Sequence, residues 1–144
     1  MTVRELSQLY YIKKILERDT LRLEELESRL QPGGMNLNGM PRNPSSKNII
    51  EEVVPLIIDI KERILKNQIE YIAEQKKIES YIDSINDYQI RLILSMRFVD
   101  HLTWNQISVK IGGNNTEDSV KKMCYRFLKK SEKTKSCPKC PDDM

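Results

Sequence analysis

Basic side chains are concentrated in the last third of the sequence, at spacings that suit nucleic acid. Eight basic residues and one acidic residue lie between positions 119 and 139. The apolar residues between them recur at helical spacing and are expected to face inward, which would leave the cations on or near the free surface of a helix. Ser119, Lys122 and Tyr125 are expected to approach DNA bases. Lysine and arginine side chains that bind DNA phosphates release the counterions of the DNA, which favours binding. We therefore expect four residues to hold the phosphates: Lys121, Lys122, Arg126 and Lys129.

The charge of the whole chain shows the same asymmetry. Residues 1–88 hold 13 basic and 15 acidic side chains, a net charge of −2, whereas residues 89–144 hold 11 basic and 6 acidic side chains, a net charge of +5. A basic module on a nearly neutral scaffold is typical of polyanion binding. Glu117 and Asp118 precede the cations, and we favour a capping role for them over base reading, since carboxylates stabilise the first turn of a helix. A contact with cytosine stays open as the alternative.

Few residues could bind a metal or catalyse a reaction. Cys137 and Cys140 form one CPKC motif, and His101 is the single histidine. A structural zinc site needs four ligands, so zinc would require a second chain, and we favour reduced thiols in a flexible tail. Cys124 lies on an apolar helix face and is expected in the core. The sequence around His101 offers no nucleophile or carboxylate as its partner. We therefore expect that the protein is not an enzyme and that it has no cofactor and no metal site.

The basic run belongs to a predicted module of three helices, residues 86–131. Asn86 is the expected N-cap of the first helix, and Thr103 and Gln106 form a capping box at the start of the second. Trp104, next to that box, is expected to fill the core between the helices. The three helices are predicted at about 87–99, at 104–111 and from about 117 onward.

A glycine turn separates the second helix of this module from the third. Gly112 and Gly113 supply the positive φ angles that end a helix, and Asn115 or Thr116 is the expected cap of the next one. A short helix, a tight turn and a longer helix make a helix-turn-helix, which presents the start of its last helix to the major groove.

Two long helices are predicted before this module. Residues 3–30 carry leucine and isoleucine at the a and d positions of a heptad, which Asp19 interrupts. The second helix is expected to start at Asn48, which pairs with Glu51 as a cap, and to end at about residue 85. Pro55 predicts a bend in this helix or a start nearer to that residue.

The second helix has two apolar stripes, and a single partner helix covers only one. The first stripe is expected to face the first helix. Three polar residues interrupt this seam, and we favour frayed or solvent-facing positions for them over a role in setting the register of the two helices. They are Asp19, Asn67 and Glu74. The other stripe is expected to pack on a second copy of the chain, and a dimer is favoured. It consists of Val54, Ile58, Leu65, Ile69 and Ile72.

Composition supports an all-α fold. Two Phe and one Trp stand among many Ile and Leu in 144 residues, so burial must come from aliphatic helix stripes. We predict a long, coiled-coil-like N-terminal hairpin at 1–85 with a loop at 31–47, then the three-helix helix-turn-helix module and a flexible tail at 132–144. The loop holds three glycines and three prolines. No membrane-spanning run or signal peptide is evident, which predicts a cytoplasmic protein.

The segment "MRFVDHLTWNQISVKIGGNNTEDSVKKMCYRFLKK" resembles region four of sigma factors, and more closely phage-encoded sigma-like regulators of the ArpU and RinA type. The likeness is weaker over the rest of the chain, where a helical hairpin with a loop rich in Gly, Pro and Ser is similar to those proteins. The turn "GGNN" is two residues longer than in the sigma pattern. The matching residues are Arg97, Phe98, Leu102, Thr103, Trp104, Ile107, Ile111, Gly112, Val120 and Leu128.

This resemblance implies that the protein binds a phage promoter region in the host bacterial cell and activates late or packaging genes. It also implies that the third helix, from Glu117 and Asp118 to Arg126, approaches DNA, while Thr103 and Trp104 lie near the DNA backbone. Together with the basic spacing, it gives these expected DNA-binding residues: Thr103, Trp104, Asn115, Thr116, Ser119, Lys121, Lys122, Tyr125, Arg126 and Lys129.

The favoured function is therefore a sequence-specific, oligomeric regulator of transcription that binds double-stranded DNA, with RNA polymerase left open as a further partner and no membrane contact. One alternative is the small DNA-recognition subunit of a phage packaging terminase, which also joins a helix-turn-helix to oligomerising helices. Another is a coiled-coil adaptor that binds a host protein without DNA.

Overall fold

The fold is that of a computed structural model that describes residues 1–31 and 45–135 of the chain. Every regular element in these ranges is helical, which confirms the predicted all-α class. The predicted loop lies largely outside the described residues, as do both cysteines of the CPKC motif. The elements are α1 (Val3–Leu30), α2 (Ser45–Asp83), α3 (Tyr88–Leu94), a π-helical turn (Ser95–Val99), α4 (Trp104–Ile111) and α5 (Glu117–Lys135).

The described helices form two compact units. The hairpin unit comprises Ile12–Tyr71, and the C-terminal unit combines Met1–Tyr11 with the chain from Ile72 onward. The first turns of α1 and the last turns of α2 thus belong with the shorter helices. The predicted division into domains at 1–85, 86–131 and 132–144 stays a prediction about separable pieces of the chain.

In the hairpin unit, α1 and α2 pack through the predicted apolar seam. The core of this unit consists of buried aliphatic side chains, and Lys61 pairs with Glu27 at 3.0 Å on its edge. Ile50 continues the heptad of this seam towards the start of α2 but is 55% exposed, so the packed stripe begins at Val53. The second stripe, Val54 to Ile72, is not covered by α1 and is exposed, and its packing on a second copy of the chain stays a prediction. The core residues are Leu23, Leu26, Leu30, Val53, Ile57, Ile60 and Ile64.

The predicted frayed or solvent-facing position of Asp19 is wrong. Its side chain is fully buried and does not face solvent. The Nε and Nη2 atoms of Arg63 each donate to one of its carboxylate oxygens at 2.9 Å, and Arg18 lies 3.3 Å from the same carboxylate. A buried carboxylate is stable only when it is paired, and a sequence alone does not show which arginine reaches across from another helix.

The start of α2 differs from the prediction. The helix begins at Ser45, so residues 45–47 of the predicted loop are helical and Asn48 lies inside the helix. Serine is a favourable residue at a helix start, and nothing between Ser45 and Asn48 breaks a helix. Pro55 lies within α2, which excludes the later start. A bend at Pro55 stays a prediction.

In the C-terminal unit, the short helices surround a core that the apolar spacing predicts. The apolar residues that recur at helical spacing in α3, the π-helical turn and α5 are buried, except for Phe127, which is half-buried. The buried ones are Ile90, Ile93, Leu94, Phe98, Val120, Cys124 and Leu128. Three boundaries differ from the predictions. Asp87, and not Asn86, caps α3, because its carboxylate accepts from the backbone N–H groups of Gln89 and Ile90. The expected single helix at 87–99 ends in the π-helical turn, and α5 continues four residues into the predicted tail.

None of the helices in the described ranges is long and apolar enough to cross a membrane.

Candidate nucleic-acid interface

The turn between α4 and α5 is built by local hydrogen bonds. The capping box of Thr103 and Gln106 starts α4 as predicted, with Gln106 N donating to Thr103 Oγ1 at 3.3 Å. Gly112 and Gly113 both have a φ of 68°, which confirms the predicted turn chemistry. Because only glycine adopts the φ of 68° and ψ of −160° seen at Gly112 without strain, this residue type is required there.

Thr116 is the cap of α5. Its Oγ1 accepts from Ser119 N at 3.3 Å, and its carbonyl oxygen accepts from Val120 N at 3.1 Å. Asn115, the other predicted cap, instead donates from Nδ2 to the carbonyl oxygen of Gly112 at 2.8 Å. The "GGNN" turn is therefore closed by its own side chain, and α5 starts at a defined position relative to α4.

The predicted cations lie together on one exposed side of α5. We call this surface the basic face and define it by six residues that line one shallow groove: Asp118, Lys121, Lys122, Tyr125, Arg126 and Lys129. Within the described part of the chain, none of its four cations forms an ion pair or a side-chain hydrogen bond. Their charge is thus available to an anionic partner, and the one acid lies at the N-terminal end of the helix.

The other predicted site residues are divided between surface and core. Thr103, Thr116 and Ser119 are exposed at the starts of α4 and α5, and Asn115 is half-buried in the turn. Trp104 is only 7% exposed, so its indole fills the core, as one interpretation predicted.

Tyr125 links the basic face to the start of α4. Its ring centroid lies 5.9 Å from that of Trp104, and the guanidinium of Arg97 lies 4.7 Å from the Trp104 ring centre. Arg97 Nη1 also donates to the carbonyl oxygen of Leu102 at 2.7 Å. In the sequence, Arg97 stands out only as part of the resemblance to sigma region four, and the one signal of its contact with Trp104 is a cation seven residues before a tryptophan.

The structure also shows the surroundings of the residues that could react or bind a metal ion. Burial raises the pKa of the Cys124 thiol to about 12, against a small opposing effect of the charge on Arg97. Cys124 is therefore a protonated core residue, as predicted. Among the described residues, no group of three or more His, Cys, Asp or Glu side chains could hold a metal ion.

One of three comparisons with known proteins identifies a family for this chain. No curated protein and no solved structure matches the chain. The family described as "Protein of unknown function (DUF1492)" matches residues 45–133, which include α2, α3, α4 and most of α5. The match covers more than half of the chain and contains both the exposed stripe of α2 and the basic face. The chain therefore belongs to the DUF1492 family.

Proposed function

We propose that this protein is a sequence-specific regulator of transcription that binds double-stranded DNA through α4 and α5. The observation that carries the proposal is the basic face: four cations, unpaired among the described residues, share one side of the helix that follows a closed glycine turn. A helix placed this way after a short partner helix fits the major groove, and its cations reach phosphates on both sides.

The finer identity rests on the resemblance to sigma region four and to ArpU- and RinA-type regulators. On that basis we propose a phage or prophage protein that acts in the bacterial cytoplasm and activates late genes. Lys121, Lys122, Arg126 and Lys129 hold phosphates, while Ser119, Lys122 and Tyr125 approach bases. Thr103 and Thr116 are exposed at the starts of α4 and α5, and the N-terminal ends of helices favour contact with phosphate groups.

Salt dependence of duplex binding tests the proposal. Each phosphate contact contributes about −0.9 to the slope of log K against log salt concentration, so four contacts predict a slope of about −3.6. The double variant Lys121→Ala/Lys122→Ala should reduce the slope by about 1.8 and weaken binding to every duplex. Fluorescence anisotropy with promoter fragments from the gene's own genome measures both quantities.

A matched control removes the same charge elsewhere. Lys66→Ala/Lys76→Ala deletes two exposed lysines of α2, which is not the helix that carries the basic face, and should leave both slope and affinity unchanged. Equal losses in the two double variants would mean that net charge alone attracts DNA. Affinity that does not change between low and moderate salt would exclude the proposed interface.

A packaging terminase subunit is the second candidate function, because the exposed stripe of α2 is available for assembly with other copies of the chain, as a ring or as a dimer. A ring needs two complementary subunit surfaces, whereas a dimer needs one surface that pairs with itself. Mass photometry separates the two functions, because a particle of eight or more chains would indicate packaging and a particle of two chains regulation. If Lys121→Ala/Lys122→Ala left biological activity intact, the coiled-coil adaptor would replace both.

A further inference from the structure

A second cavity lies beside the basic face, inside the C-terminal unit. It has a volume of about 330 Å³ and is enclosed by the first turns of α1, the π-helical turn, the start of α4 and the middle of α5. Cavities of this size hold one small molecule or one part of a larger one. We call it the tyrosine pocket, and the residues that matter for its chemistry are Tyr10, Tyr11, Arg97, His101, Thr103 and Tyr125.

Aromatic rings form its walls. The ring centroids of Tyr10 and Tyr11 lie 5.7 Å apart and nearly perpendicular, and Tyr10 makes a similar edge contact with His101. Tyr11 is 57% exposed although its ring contacts that of Tyr10. An exposed ring face at the edge of a cavity is a stacking surface for a flat aromatic group.

Polar groups complete the pocket. Arg97 has five N–H donors, and its one side-chain hydrogen bond within the described residues goes to the carbonyl oxygen of Leu102. The remaining donors can serve oxygen atoms of a ligand. Its guanidinium is held in place over the Trp104 ring, so it meets a ligand without losing much conformational freedom. A flat ring with acceptor oxygens, and not a purely apolar group, fits this lining.

The position of the pocket indicates the chemical class of its ligand. Tyr125 lines both the tyrosine pocket and the basic face, so the cations of the basic face lie next to the pocket. A ligand with a base in the pocket would direct an attached phosphate to the cations or to Arg97. Aromatic stacking next to a row of cations is the arrangement by which proteins hold unpaired nucleotides.

We propose that the tyrosine pocket binds a nucleobase together with its phosphate. The base stacks on Tyr11 and Tyr10, and Arg97 donates hydrogen bonds to oxygen atoms of the base or the phosphate. The nucleotide is either free or an unpaired residue of a nucleic acid, since both present the same chemistry. This site goes beyond duplex binding by α5, because its walls come from α1 and the π-helical turn.

The fluorescence of Trp104 can report whether the pocket is occupied. This residue is the single tryptophan, and its ring lies 5.9 Å from Tyr125 at the pocket wall, so occupancy should change its fluorescence. The full-length protein is titrated with AMP, with an eight-nucleotide oligothymidine and with an abasic oligomer of equal charge. We expect the abasic oligomer to bind at least tenfold more weakly than oligothymidine, because it cannot stack. Binding of AMP identifies a free nucleotide as the ligand, and binding of oligothymidine alone identifies a nucleic acid.

Variants locate the effect. Tyr11→Ala should weaken binding of the base-bearing probe about tenfold, whereas Tyr11→Phe, which keeps the ring, should bind within a factor of two. Tyr88→Ala is the matched control, because Tyr88 is 78% exposed and lies outside the pocket. Circular dichroism confirms that each variant is folded.

Two results would overturn the inference: equal binding of abasic and base-bearing oligomers, or a loss in Tyr11→Ala no larger than in Tyr88→Ala. Neither depends on the duplex function. Lys121→Ala/Lys122→Ala tests that function separately, and binding of AMP that depends on Tyr11 would stand even if no duplex bound.

Discussion

The packing of the hairpin unit depends on one buried charged residue, Asp19. Its carboxylate is fully buried in an otherwise apolar seam and is held by two hydrogen bonds from Arg63, with Arg18 nearby. A buried charge of this kind costs solvation energy that only its partners offset. A wrong alignment of α1 and α2 would leave the carboxylate without Arg63, so the pair favours one alignment of the two helices.

Removing the arginine should therefore destabilise the protein strongly. Arg63→Ala leaves a buried carboxylate with only Arg18 as a partner, and we expect a loss of about 3 kcal/mol in the free energy of unfolding. Asp19→Leu should cost less, since leucine continues the apolar heptad. Urea unfolding followed by circular dichroism measures both.

Lys66→Ala serves as the control for Arg63→Ala, because Lys66 is an exposed residue of the same helix and should change stability by less than about 0.5 kcal/mol. A loss of this small size in Arg63→Ala would show that the pair is not important.

The same carboxylate predicts a dependence of stability on pH. The hydrogen bonds from Arg63, supported by Arg18, hold the pKa of Asp19 below its ordinary value of 3.8, against the opposing effect of burial. The folded state therefore gains stability from the ionised carboxylate above the pKa of the unfolded chain. That gain is lost as the pH falls through the lower pKa of the folded chain.

Urea unfolding at pH 5, 4 and 3 tests this dependence. The wild-type protein should lose more free energy of unfolding over this range than Asp19→Leu, since the variant lacks the titrating group. Identical pH profiles for the two proteins would contradict the lowered pKa of Asp19.

At the scale of elements, the turn between α4 and α5 decides where the basic face points. Three consecutive residues have positive φ: Gly112, Gly113 and Asn114. Two extra residues relative to the sigma pattern thus do not make this turn a loose loop, because the amide of Asn115 closes it onto the carbonyl oxygen of Gly112. The orientation of α5 is a property of this turn together with the core beneath it.

Gly112→Ala should strain this turn. Space is open around the position of the new methyl group, so the cost arises from the backbone conformation and should be about 1–3 kcal/mol of unfolding free energy. Duplex affinity should also fall if the turn relaxes by rotating α5. Urea unfolding and fluorescence anisotropy measure the two effects.

The control for this substitution is Asn114→Gly, because glycine adopts the φ of 59° at that position freely. We expect its stability to stay within about 1 kcal/mol of the wild type. Stability of Gly112→Ala equal to that of the wild type would show that another conformation of the turn is accessible.

At the scale of the whole molecule, α2 carries more apolar surface than one partner covers. One stripe packs on α1, and the other, Val54, Ile58, Leu65, Ile69 and Ile72, is exposed along the helix. Aligned exposed aliphatic residues over several turns are typical of an interface between subunits. Two copies would also place two basic faces in one assembly, which suits a DNA site with two halves.

We therefore expect the wild-type protein to be a dimer at micromolar concentration and Leu65→Lys/Ile69→Lys to be a monomer. Lysine keeps the helix, since its helix propensity is close to that of leucine, but its charge cannot be buried in an interface. Sedimentation equilibrium measures the mass, and circular dichroism checks the helix content.

Glu70→Lys is the matched control for the dimer prediction, because it changes the net charge by the same two units at an exposed residue outside the stripe. It should remain a dimer. A monomeric wild-type protein would remove oligomerisation through α2 from the proposal.

Sequence periodicity determined most of the helices. The apolar spacing predicted α1 from Val3 to Leu30 and the buried faces of the short helices, and the capping box at Thr103 predicted the start of α4. Such features depend on residues a few positions apart, so a sequence is sufficient to find them. The cations of the basic face follow from the same spacing, as they lie on a single helix.

Only the tertiary structure decided which distant residues meet. It buried Asp19 against an arginine 44 residues away, and it brought Tyr10 of α1 to His101 and Arg97 to the Trp104 ring. Each of these contacts joins separate elements, and their energies depend on the packing of helices, which local spacing does not encode. The tyrosine pocket also exists for this reason, because its walls combine α1 with three elements that lie much later in the chain.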